Sequence, residues 1–148
     1  MKFVDKIKKM REDMQKLIQA EGEQAVKELV KTFFEASQGK FDAIRWRQYT
    51  PYFNDGDPCV FNLHGVYFRE AGTPEDTEEG DYEDDFESPW HYKSTYNGNV
   101  PNEELYNLTQ AFENELENLS DVLLSCFGDH VMITATADKI EIEDCGHD

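Results

Sequence analysis

The sequence predicts an α+β fold: an N-terminal helical segment, two β-hairpins in one antiparallel sheet, and a long helix over residues 101–127 packed on that sheet. Three observations carry this. Apolar residues recur at helical spacing in residues 3–34 and again in residues 105–126, and they alternate with period two in residues 41–69 and 130–144. The segments between are turn chemistry or runs of carboxylates with little apolar content. At 148 residues the chain is read as a single domain over 1–148, long enough to bury a core without disulfide or metal staples.

Residues 1–38 form the helical arm. Phe3, Ile7, Met10, Met14 and Leu17 repeat at steps of four and three, which draws one apolar stripe. The stripe loses phase at Glu21, Gly22 and Glu23 and resumes with Val26, Leu29, Val30, Phe33 and Phe34, so a break or kink is expected at Gly22. Ser37, Gln38 and Gly39 end the segment. The stripe suits packing on the domain; a homo-oligomer through residues 3–34 is the sharper alternative. The basic cluster Lys6, Lys8, Lys9, Arg11 and Lys16 is diluted by Asp5, Glu12 and Asp13, which argues against a membrane-surface helix.

Residues 41–69 are the aromatic hairpin. Ile44 and Trp46 point one way and Arg45 and Arg47 the other. The centre, from Tyr52 to Pro58, contains Asn54, Asp55 and Gly56 between two prolines, which predicts an ordered turn with Gly56 at positive φ. Residues 70–87 then hold ten carboxylates and no cation, the composition of a solvated loop. Asp81, Glu83 and Asp85 alternate as in a calcium loop, but Phe86 stands where that loop needs glycine. Residues 88–93 return to aromatic character.

The helix over 101–127 carries Leu105, Leu108, Phe112, Leu116, Leu119, Leu123 and Cys126 on its apolar face and stops at Gly128. Its other face bears Glu113, Glu117 and Asp121 without a lysine or arginine. Residues 130–144 alternate again and predict the second hairpin. Trp46, Phe61, Leu63, Leu108, Phe112, Leu116, Ile133 and Ile142 are the expected core.

Charge narrows the function. Residues 1–47 contain 11 of the 14 basic groups against 8 acids; the remaining residues contain 3 basic groups against 24 acids, a net of −21. A chain at −18 overall does not bind nucleic acid through a general basic surface. No run approaches the roughly 18 apolar residues that cross a membrane, and no secretory leader is apparent, so a cytoplasmic protein is expected. Cys59 and Cys126 fall on apolar faces and read as small buried hydrophobes. Cys145, His147 and Asp148 are metal-capable types with no second ligand pair at metal spacing, so no metal and no cofactor is assigned.

The string from Trp46 through Gln48, Tyr49, Thr50, Pro51, Tyr52, Phe53, Asn54, Asp55, Gly56 and Cys59 to Phe61 resembles the core of small uncharacterised proteins of tailed bacteriophages and prophages. Those share W-x-Q-Y-T-P-Y-F-N-D-G-x-x-C-x-F after a helical segment and commonly end in a strand pair and an acidic His-Asp tail. The resemblance covers about 16 residues closely and the order of elements loosely, and residues 70–87 stand apart from it as an insertion. It implies an origin and a fold, and no catalytic residues.

No nucleophile elbow, phosphate loop or zinc motif is present, so the chain reads as a non-enzymatic, phage-type accessory protein. In the leading reading Asp81, Glu83, Asp84, Asp85, Glu113, Glu117 and Asp121 engage a basic surface of a host protein that handles nucleic acid or defence, and inhibit it. In the alternative, Arg45 and Arg47 beside Tyr49 and Tyr52 sequester a nucleotide-like small molecule. A metal-binding module is the third.

Overall fold

A computed structural model describes residues 3–50, 61–72 and 86–144. Helix α1 (Phe3–Ala36) leads into strands β1 (Phe41–Tyr49) and β2 (Asn62–Glu70). Helices α2 (Glu103–Asn118) and α3 (Ser120–Phe127) follow, then strands β3 (Val131–Ala135) and β4 (Ile140–Asp144). The four strands form one antiparallel sheet in the order β2-β1-β3-β4, so the two hairpins join through β1 and β3. The α+β architecture expected from the sequence is present. The turn from Tyr52 to Pro58, Cys59, and the carboxylates Asp81, Glu83, Asp84 and Asp85 lie outside the described residues, as do Cys145 and His147.

The inner face of the sheet is written in the cross-strand register. Phe68, Ile44, Ala135 and Ile140 form one row across the sheet, and Val66, Trp46, Ile133 and Ile142 the next. Trp46, Ile44, Phe68, Ile133 and Ala135 are fully buried against the helices. Phe33 of α1 sits at the centre of the aromatic packing, with ring centroids 5.2 Å from Phe68, 5.6 Å from Phe41 and 5.0 Å from Phe112. Such contacts are worth about 0.5–1.5 kcal/mol each beyond the area they bury.

Four expectations are corrected. Helix α1 runs through Gly22 without a break. A Cβ at Gly22 would lie 2.6 Å from Val122 Cγ1 and 2.9 Å from Cys126 Sγ, so glycine is there to let α3 approach, at a helix-propensity cost of about 1 kcal/mol. The helix over 101–127 is two helices, because Leu119 leaves helical geometry at φ −99° and ψ 17°. Leu116 on α2 and Leu123 on α3 both have zero exposure. Ile142, expected in the core, is 48% exposed: it faces inward opposite Ile133, but β4 is the edge strand. Phe61, Leu108 and Cys126 are only partly buried.

The helix ends read at Ser37–Gly39 and at Gly128 are present. Ser37 Oγ donates to Phe34 O and Gly39 takes φ 79°, closing α1. Asn102 caps α2 by accepting from Leu105 N at 3.1 Å. Gly128 ends α3 at φ 94°. Beside β2, Glu87 pairs with Phe68: Phe68 N donates to Glu87 O at 2.8 Å and Glu87 N to Phe68 O at 2.7 Å. The chain then makes a 3₁₀ turn at Pro89–Tyr92 that buries Tyr92 edge-on against Phe41.

Candidate functional site

Two surfaces correspond to the two sequence readings. On α2, Glu113 and Glu117 are one turn apart on a single face. Burial first, and then repulsion from Glu117, push the Glu113 carboxyl above its ordinary range. The repulsion is uncompensated on these helices, since residues 103–127 contain no lysine or arginine. The break at Leu119 moves Asp121 onto α3, where it occupies the first turn and meets the positive end of that helix's dipole. The structure therefore brings Glu113 and Glu117 together and sets Asp121 on a neighbouring element. On the edge strand, Glu141 and Glu143 are exposed on the other face of the sheet, in the rows of Thr134 and Met132, with Lys139 drawn onto Glu141 at 2.7 Å.

The second surface is the outer face of the sheet. Arg45 and Arg47 do share it, as read from the alternation. They are not equivalent. The Arg45 guanidinium lies 4.4 Å from the Phe86 ring centroid, and its Nε donates to Thr134 Oγ1 at 3.1 Å. Arg45 is thus held by its own fold. Arg47 is exposed opposite Met132 and makes no ion pair among the described residues. Tyr52, the fourth residue of this reading, lies outside the described residues. The third arginine here, Arg69, lies 3.6 Å from Asp42.

Tyr49 stands at the end of β1 and anchors a cluster that sequence reasoning missed. Its ring stacks on His64 at 3.6 Å and 11°, and His130 lies on it at 6.1 Å and 22°. His130 has φ 56°, a left-handed conformation uncommon outside glycine. Asp129 holds it there by accepting from His130 N at 2.9 Å, while also accepting from Thr50 N and Thr50 Oγ1 at 2.8 Å each. Burial works against the Asp129 charge, but these hydrogen bonds outweigh it and keep the carboxyl below its usual range. The cluster ties the end of β1 to the start of β3. Nothing in the spacing of Tyr49, His64 and His130 announces it, because the three meet only through strand pairing.

The buried polar centre was also missed. Gln48 has zero exposure. Its Oε1 accepts from Trp46 Nε1 at 3.0 Å, and its Nε2 donates to Leu123 O at 2.9 Å and Gly128 O at 2.7 Å. One amide therefore satisfies the indole and two carbonyls at the C-terminal end of α3.

The Cys126 thiol donates to Gln19 O at 3.3 Å, and burial, with Glu23 nearby, raises its pKa. A protonated thiol is a poor nucleophile. Among the described residues no three histidine, cysteine or acidic side chains gather as a metal site would require, and no helix is long and apolar enough to cross a membrane. A cleft of about 270 Å³ between α1 and the β3–β4 turn brings Lys27, Lys31 and Lys139 together with Glu28 and Asp138. Its cations are offset locally, since Lys27 also pairs with Glu23 at 3.4 Å. No protein-family model, curated protein or solved structure matches the chain.

Proposed function

We propose that this chain is a non-enzymatic acidic protein that covers the basic surface of another protein, as an inhibitor of a nucleic-acid-handling or defence enzyme in a host cytoplasm would. The observation that carries the reading is the carboxylate face of α2, where Glu113 and Glu117 stand one turn apart on helices without a lysine or arginine, and Glu113 is raised by burial and then by Glu117. Like charges placed so close lower the protein's own stability. A basic partner reverses that sign: it relieves the repulsion and gains attraction, giving fast, salt-sensitive association. The nucleotide-sequestering reading is weaker, because Arg45 is committed to Phe86 and Thr134.

The test is capture of bacterial proteins by the immobilised chain at low and high salt. A basic protein is expected at low salt and lost at high salt. Two charge-neutral variants, Glu113→Gln/Glu117→Gln/Asp121→Asn and Asp81→Asn/Glu83→Gln/Asp84→Asn/Asp85→Asn, should each reduce capture. Arg45→Gln/Arg47→Gln should leave it unchanged. If the arginine pair proves essential and both acidic sets dispensable, the inhibitor reading is wrong.

A further inference from the structure

We infer that the first half of α1 is a dimerisation arm that pairs antiparallel with the same arm of a second copy of this chain. Every described side chain from Phe3 to Ala20 is exposed. Among them are Phe3 at 77%, Ile7 at 39%, Met10 at 55% and Leu17 at 59%. The spacing of these four, continued in the sequence by Met14, is the four-three repeat of a two-helix seam.

The chain's own body leaves Phe3, Ile7, Met10 and Leu17 uncovered. At about 100° per residue, the seam lies roughly two-fifths of a turn around the helix from the stripe of Val26, Val30 and Phe33 that enters the core. A single continuous helix therefore presents one apolar stripe inward and another to solvent.

Charge selects the occupant and its direction. In heptad terms Ile7 is an a position, Phe3, Met10 and Leu17 are d positions, and Lys6 and Asp13 flank the seam at g. Antiparallel arms in which Ile7 faces Met10 of the second copy set Lys6 beside Asp13 of that copy, twice by symmetry. Parallel arms set Lys6 beside Arg11 instead, which is repulsive.

The bodies point the same way. Residues 48–148 carry 24 acids and 3 basic groups, and parallel arms would hold two such bodies side by side. Antiparallel arms place them at opposite ends of a rod. The 18 residues from Phe3 to Ala20 span about 27 Å, several times the screening length of roughly 8 Å in physiological salt. The acids Asp5, Glu12 and Asp13, interleaved with the lysines, fit a protein partner better than an anionic membrane.

The test is sedentimentation-equilibrium or light-scattering mass of the full chain across concentration, with thermal melting as the check on folding. A concentration-dependent dimer is expected. Ile7→Glu/Met10→Glu should raise the dissociation constant by at least about tenfold while the monomer's fold is retained, since both side chains are exposed. Lys6→Asp and Asp13→Lys should each weaken the dimer, and the two together should restore it. A monomer at every concentration, a dimer indifferent to Ile7→Glu/Met10→Glu, or a dimer strengthened by Lys6→Asp would each overturn the inference. So would a monomer that binds vesicles of anionic phospholipid through this helix.

Discussion

The two halves of α1 are one helix with opposite relations to the rest of the chain. From Gly22 onward its apolar residues are spent inside: Val26, Val30 and Phe33 are all nearly inaccessible. Before Gly22 an equally regular stripe faces water. Hydrophobic periodicity thus reports that a surface wants covering, and says nothing about whether the cover comes from the same chain. Gly22 is the boundary, the point at which α3 closes on α1 and the body begins. The same body that leaves Phe3 and Ile7 outside keeps Gln48 of β1 fully inside, so burial does not follow a simple rule of apolar in and polar out.

The sharpest way to break this comparison is truncation of a phenylalanine in each half. Phe33→Ala should cost about 3–5 kcal/mol of stability, because it empties the space between α1, α2 and the sheet. Phe3→Ala should leave the monomer within about 0.5 kcal/mol of the original. Denaturant unfolding at a concentration below dimerisation measures both. Equal effects would mean that the arm packs on the body after all.

A smaller effect is expected at the buried amide. Gln48→Leu preserves volume but leaves Trp46 Nε1, Leu123 O and Gly128 O without their partner, and should cost about 1–3 kcal/mol. Near-ultraviolet circular dichroism of Trp46 should change with it. A neutral result would show that Gln48 fills space rather than binding the end of α3 to β1.

The smallest effect concerns the acidic face. The Glu113 carboxyl is raised in the folded protein by burial and by Glu117, so the native state holds more protons than the unfolded chain just above the ordinary carboxylate range. Stability therefore falls as pH rises through that window and stays lower at neutral pH. Glu113→Gln should stabilise slightly at pH 7, by no more than about 0.5 kcal/mol, and the gain should vanish in acid below the ordinary carboxylate range. Melting temperatures across pH check the sign, and a loss of stability at pH 7 would contradict it.

Much of this is legible in the sequence. The element order, the helix ends at Gly39 and Gly128, and the shared face of Arg45 and Arg47 follow from local rules of period, capping and turn chemistry, which act over a few residues. The uneven charge is a property of composition alone. Tertiary structure decided the rest. It kept α1 continuous through Gly22, because the glycine answers to Val122 and Cys126 a hundred residues away rather than to its neighbours. It split the second helix at Leu119, left Ile142 at an uncovered edge, and committed Arg45 to Phe86. It also gathered Tyr49, His64 and His130, and placed Gln48 under α3. The physical reason is common to all of these. Local sequence sets which face of an element is apolar or charged, but packing between distant elements sets what that face meets, and only the meeting determines burial, partnership and cost.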